Sequence, residues 1–161
     1  MQEETFVTKV PDQVAEFLSG KRFAVGGVSR RPGQSANAVF GKLRDSAREV
    51  FPINPNVTEM EGAPCYPDLR SIPGPIGRMT VATHPSVSVE LVRQCAACGV
   101  GKLWFHRSVG QGGVSHVAIQ ECTARGIKCI VGGCPIMYCA PVDVGHRCMR
   151  WWLRLKGRVP G

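Results

Sequence analysis

The sequence predicts a doubly wound α/β fold, in which about five parallel strands form one sheet with helices on both faces. Three observations point there. Short apolar runs recur along the chain and alternate with helical patterns. The runs are apolar throughout rather than two-faced, as expected of parallel strands covered on both sides. Each run ends in a Gly, Pro or Asn turn signal, and the unusual residues collect at those ends. This is a Rossmann-like pattern, and in such sheets ligands sit outside the carboxyl ends of the strands.

Each element has its own signal. Pro11 and Asp12 open a short helix whose stripe is Val14, Phe17 and Leu18, and Gly20 ends it. Phe23, Ala24 and Val25 form a first strand that runs into Gly26, Gly27, Val28 and Ser29. A basic, polar loop follows (Arg30, Arg31, Pro32, Gly33, Gln34). A helix then starts near Ser35 and reaches about Ala47, with Ala38, Val39 and Leu43 on its apolar side. Glu49 to Ile53 is the second strand, closed by Asn54-Pro55-Asn56. A short element near Ala63–Tyr66, a helical turn at Pro67–Ile72 and a Pro/Gly loop lead to the third strand, Arg78 to Thr83. His84-Pro85 ends that strand, and Ser86 is the expected N-cap of a helix carrying Val87, Val89, Leu91, Val92 and Cys95. Lys102 to Phe105 is the fourth strand, followed by a loop with Gly110, Gly112 and Gly113. Ser115 to Arg125 is a helix closed by Gly126. Ile127 to Val131 is the fifth strand, ending at Gly132-Gly133-Cys134-Pro135. Asp143 opens a final amphipathic helix. It is expected to pack across the sheet and leave its charges in solvent.

The 161 residues suit a single domain, 1–161, with its core over about 20–140 and the amphipathic helix over about 143–156. No apolar run approaches the roughly 20 residues of a membrane span. The first residues are polar and lack the apolar stretch of a signal peptide. A cytoplasmic protein with no membrane partner is expected. The formal charge is +8, from 20 Lys+Arg against 12 Asp+Glu, which suits an anionic ligand. Aromatics are only 7% of residues with no stacking platform, which argues against nucleic acid. The eight cysteines are expected to be mostly reduced thiols. Cys95-x-x-Cys98 has no second pair at metal-ligand spacing and sits in a helical pattern, so it reads as core and no metal site is expected.

The first strand–turn–helix junction aims backbone N–H groups and a positive helix end at one spot, an arrangement that binds phosphate. Gly27 allows close backbone approach, Ser29 adds a hydroxyl, and Arg30 and Arg31 add charge. No frame gives G-x-G-x-x-G, and no acidic residue stands at the second strand end, where Asn54, Pro55 and Asn56 lie. Both facts argue against NAD. Asn54-Pro55-Asn56 reads equally as a plain Asx turn. Thr83, His84 and Pro85 stand at the third strand end, His106 at the fourth and Cys134 at the fifth. His106 reads as polar lining or as a base, with no carboxylate evident to orient it. Cys134 reads as a packed thiol, or as one that faces the ligand and exchanges disulfides.

Several ordered motifs carry a resemblance over about 14–160: G-V-S-R-x-P at 27–32, N-A-V-F-x-x-L at 37–43, V-F-P-I-N-P-N at 50–56 and L-W-F at 103–105. G-I-K-C-I-V-G-G-C-P-I-M at 126–137, P-V-x-x-x-H at 141–146 and R-W-W-x-x-x-x-G-x-x-P at 150–160 continue it. The chain resembles the small single-domain CoA-binding proteins of bacteria and archaea, which are similar to the CoA-binding domain of the succinyl-CoA synthetase alpha subunit. The resemblance implies a Rossmann-like fold and coenzyme A as ligand. It implies phosphates and adenine over the first two strand ends and the pantetheine arm across the third. The matching positions are Gly27, Val28, Ser29, Arg30, Asn54, Pro55, Asn56, Thr83 and Pro85, with Lys42 a further phosphate contact. The family often has Gln near position 106 and a second His near 149, where this chain has His106 and Met149. The synthetase's phosphohistidine domain has no counterpart here, so ligase activity is not implied. The expected function is non-catalytic binding of CoA or an acyl-CoA. The alternatives are a CoA- or NAD-dependent enzyme and a thiol redox sensor using Cys134.

Overall fold

Five runs with little polar content form one parallel sheet, as the sequence predicts. In the computed structural model, which describes residues 10–107 and 113–160, the strands are β1 (Arg22–Gly26), β2 (Glu49–Ile53), β5 (Arg78–Val81), β6 (Lys102–Phe105) and β7 (Lys128–Val131). All pairings in this sheet are parallel and the order is β2-β1-β5-β6-β7. The chain first steps from β1 to one side, then returns to build outward from β1's other edge. The topology therefore reverses between β1 and β5, the point of such a sheet at which ligands gather. Two further strands, β3 (Glu59–Met60) and β4 (Ala63–Pro64), form an antiparallel hairpin. Its two turn residues both have positive φ, 49° at Glu61 and 77° at Gly62, as a type I′ turn requires.

Side chains alternate across each strand, and both sets are mainly apolar, with Thr80 of β5 a buried polar exception. Phe23, Val25, Trp104 and Ile130 lie on one face under α1 (Asp12–Leu18), α2 (Ser35–Asp45) and α5 (Val144–Leu155). Ala24, Met79, Val81, Leu103 and Phe105 lie on the other under α3 (Pro85–Cys98) and α4 (His116–Ala124). Phe17 of α1 meets Phe23 and Trp104 edge to face, with centroids 5.5 and 5.4 Å apart. The Trp104 Nε1–H donates to the Gly132 carbonyl at 2.8 Å, so the indole is buried with its polar group paired. Each such large side chain taken from water contributes about 1.5–3 kcal/mol.

Three expectations are corrected. The N-cap of α3 is His84, not Ser86. Pro85 has its φ preset for the first helical position, which moves the cap back to His84. The imidazole Nδ1 of His84 then accepts from Ser86 N at 3.3 Å. The element expected near Ala63–Tyr66 is the second arm of the hairpin plus a single bridge from Tyr66 to Ile53. α5 does not bury its apolar side as expected: Leu153 is buried, but Val144, Trp151, Trp152 and Leu155 are exposed. The helix carries more apolar positions than its contact with the short 3₁₀ turn Pro135–Met137 and the sheet can cover. Among the described residues no helix is long and apolar enough to cross a membrane. The expected loop glycines Gly110 and Gly112 lie outside the described residues.

Candidate functional site

The site begins where β1 ends. Gly27 has φ 103°, and a Cβ there would lie 2.5 Å from the Ala82 carbonyl oxygen. Only glycine fits this close approach at the β1/β5 reversal. Ala82 N donates to the Gly26 carbonyl at 3.0 Å and Gly27 N to the Ile53 carbonyl at 3.3 Å, so three strand ends are tied at one point. Val28 is fully buried and anchors the next step of the chain. Ser29 and Arg31 then turn over the start of α2, with Arg31 N donating to Ser29 Oγ at 3.1 Å.

Asn37, in the first turn of α2, straps this loop. Its Oδ1 accepts from Ser29 N at 2.8 Å, and its Nδ2 donates to the Ser29 and Arg31 carbonyls at 2.7 and 3.3 Å. α2 itself starts at Gln34 with no side-chain cap and no acidic residue in its first turn. Its positive end therefore faces outward beside two exposed arginines.

The β2 end is braced against the β1 loop. Asn54 Nδ2 donates to the Val28 carbonyl at 2.7 Å, and its Oδ1 accepts from Asn56 N at 2.8 Å, which is an Asx turn. Arg30 reaches across, with Nη2 donating to the Asn56 carbonyl at 2.9 Å. Gly27–Arg30 and Asn54–Asn56 thus form one continuous surface. Thr83, His84 and Pro85 adjoin it at the β5 end. Thr83 Oγ1 lies 3.4 Å from Ser88 Oγ, which donates to the Gly113 carbonyl at 2.9 Å.

His106 extends β6 by one residue, its N–H donating to the Val81 carbonyl at 2.9 Å, while its carbonyl accepts from Gly113 N at 2.9 Å. Burial, with a smaller contribution from His146, pushes its pKa down to about 4. His146 in turn engages Asp143: Oδ2 lies 2.6 Å from His146 Nδ1 and Oδ1 accepts from His146 N at 2.9 Å. Those hydrogen bonds hold the Asp143 carboxyl below its usual range.

Cys134 is buried in the core cluster on the α2 and α5 side, and burial raises its thiol to about 12. Lys42 lies two turns beyond the start of α2, with Nζ donating to the Pro141 carbonyl. It shares with Gly33, Ser35 and Asn37 a broad groove of about 590 Å³. The fold therefore gathers Gly27, Val28, Ser29, Arg30, Asn54, Pro55, Asn56, Thr83, His84 and Pro85 at adjoining strand ends. His106 lies at the next strand end, Lys42 along the helix, and Cys134 behind the sheet end. Asn37 and Ser88 join the site only through their contacts in the fold. An asparagine in a first helical turn that follows a Ser-Arg-Arg loop is the signal that points to a strap.

Residues 21–140 match the family model described as CoA binding domain. Over 127 residues the chain is 34% identical to the uncharacterized protein YneT of Bacillus subtilis, covering 76% of this chain and 88% of that one. Over 101 residues it is 25% identical to ADP-forming acetate–CoA ligase II of Archaeoglobus fulgidus, covering 62% of this chain and 15% of the ligase. A hypothetical protein from Pyrococcus horikoshii superposes with a TM-score of 0.72 at 26% identity, covering 84% of this chain and 94% of that one. Prb, a redesigned form of the PH1109 protein, superposes with a TM-score of 0.71 at 25% identity, covering 80% and 89%. With three-quarters of its length in the match and the strand-end loops inside it, the chain belongs to the CoA-binding domain family.

Proposed function

We propose that the strand-end loops hold CoA or an acyl-CoA, and that the chain binds this ligand without transforming it. The observation that carries the reading is the junction at Gly27. A glycine packed on the Ala82 carbonyl where three strand ends are tied, an uncapped helix start and two exposed arginines converge at the topological reversal of the sheet. Anionic phosphates fit the Ser29–Arg31 turn and the first N–H groups of α2. Arg30 is held by Asn56, which positions its guanidinium over the same surface. The adenine end lies against the Asn54–Asn56 wall and the pantetheine arm crosses Thr83–Pro85. The acetate–CoA ligase that the chain is similar to carries CoA in its name, which supports the same ligand here. The braces around Asn54 and Asn37 serve to keep the loops in shape, so contacts to the ligand fall to backbone groups, Ser29, Arg30 and Arg31.

Two observations favour binding over chemistry. His106 is buried and neutral at pH 7, and Asp143 is bonded to His146 instead of to it. Cys134 is a buried thiol held protonated, so it is a poor nucleophile and a poor partner for disulfide exchange. Calorimetric titration with CoA, NAD and ATP tests the reading. Saturable binding of CoA, tighter than that of NAD or ATP, is expected. Equal or tighter binding of NAD overturns it, as does turnover of an acyl-CoA that is lost in His106→Ala.

A further inference from the structure

α5 has two apolar sides. At about 100° per residue its positions fall into sectors. Leu153 is fully buried and half-buried Met149 packs beside it, facing the sheet. Val144, Cys148, Trp151, Trp152 and Leu155 fall in an arc about 100° wide on the side away from Leu153. Val144 is 73% exposed, Trp151 66%, Trp152 46% and Leu155 69%. Cys148 is exposed as well. Arg147 and Arg154 flank the arc on one side. Lys156 flanks it on the other, with its ammonium 5.3 Å from the centre of the Trp152 ring. Within the helix Arg147, Arg150 and Arg154 are positive, as is Lys156 at its C-cap, while the N-cap Asp143 carboxylate is engaged by His146.

An apolar stripe of this kind, rimmed by charge, marks an interaction surface. A second copy of the chain fits it poorly. A parallel pairing of two such helices sets the flanking Arg147, Arg154 and Lys156 of one against those of the other. One side of a 12-residue helix also covers far less than the about 800 Å² per partner of a stable interface. A negatively charged lipid surface answers both features. Indole and leucine side chains enter the boundary between headgroups and acyl chains, while the flanking Arg and Lys stay at headgroup level. The chain's overall charge of +8 adds long-range attraction to the same surface. We propose that α5 docks this protein on anionic bilayers through Val144, Trp151, Trp152 and Leu155, with Arg147, Arg154 and Lys156 facing the headgroups. The protein lies on the surface and does not span it. This inference does not rest on the CoA reading.

Flotation of the full chain with vesicles of phosphatidylcholine, with and without phosphatidylglycerol, tests it. Binding to the phosphatidylglycerol vesicles is expected, with release at high salt and quenching of tryptophan emission by brominated lipid. The double variant W151Q/L155Q is expected to bind at least about tenfold more weakly, because two large apolar side chains leave the interface. Both positions are exposed, and an unchanged thermal melt and CoA titration show that the variant is folded. Failure of the wild type to float with phosphatidylglycerol vesicles overturns the proposal, as does equal flotation of the double variant. A dimer in sedimentation equilibrium that dissociates in the double variant also overturns it, by making the stripe a self-interface.

Discussion

The Asn37 side chain grips Ser29 by both of its backbone groups. Its Oδ1 accepts from Ser29 N at 2.8 Å and its Nδ2 donates to the Ser29 carbonyl at 2.7 Å. The first turn of α2 thus fixes the loop that leaves β1, so the proposed phosphate site is held in shape before any ligand arrives. Asn37→Ala is expected to cost about 1–2 kcal/mol of stability through these lost bonds. It is also expected to weaken CoA binding about tenfold, since the loop must be ordered on binding. Asn37→Asp keeps the acceptor but loses both donations and adds a negative charge beside the site. Its CoA affinity should fall at least as far as that of the alanine variant. Urea melts and calorimetry on both variants check this.

Gly27→Ala puts a methyl group 2.5 Å from the Ala82 carbonyl on a backbone with φ 103°. A loss of about 1–3 kcal/mol is expected from strain, together with loss of CoA binding as β1 and β5 are pushed apart. Gly33→Ala is the matched control. Its φ is 77°, but the added methyl meets nothing within 4 Å. It should cost about 1–2 kcal/mol in backbone preference alone and leave the β1/β5 junction closed. Denaturant melts and CoA titrations of the two variants separate close approach from backbone preference.

His106 predicts a pH dependence. Its pKa is lowered from 6.5 to about 4 in the folded protein, chiefly by burial. The unfolded chain therefore binds the proton more readily between those values. The stabilisation of the neutral form is fully present above about pH 6.5. It is lost progressively as pH falls toward 4, by up to about 3 kcal/mol. His106→Gln should flatten this part of the stability profile. Urea melts at pH 7, 6, 5 and 4.5 of both proteins check the sign; a wild-type stability that rises on acidification contradicts it.

The thiols should react in a fixed order. Cys148 is exposed, so it should be labelled first. Cys129 should follow, because its bond from Cys122 lowers its pKa and it is only partly buried. Cys95 and Cys134 are buried and held protonated, so they should stay unlabelled until the chain unfolds. Timed alkylation followed by peptide mass analysis checks the order.

The strands were readable because parallel strands covered on both faces leave continuous apolar runs such as Phe23–Val25 and Leu103–Phe105. The strand ends are the candidate site on the rule that ligands gather outside the carboxyl ends of parallel strands. Strand order was not readable, because a short run carries no record of which neighbour it pairs with. The reversal between β1 and β5 emerges only from the pairing of Gly26 with Ile53 on one side and Val81 on the other. Asn37 was hidden for a related reason: an asparagine's side chain reveals its role only through its partners eight and six residues back. The second apolar side of α5 is not legible in the sequence, because a helix rich in apolar positions implies burial on one side only. Here Leu153 supplies the buried side and Trp151 and Leu155 lie on another.

Amide NMR during a CoA titration tests the placement of the ligand most directly. Shifts centred on Gly27, Ser29, Arg30, Asn56 and Thr83, with smaller ones at Ser35 and Ala36, are the predicted result. Shifts centred instead at the opposite end of the sheet, around Gln13, Lys102 and Lys128, or no saturable shifts at all, would contradict a CoA site at the β1/β5 reversal.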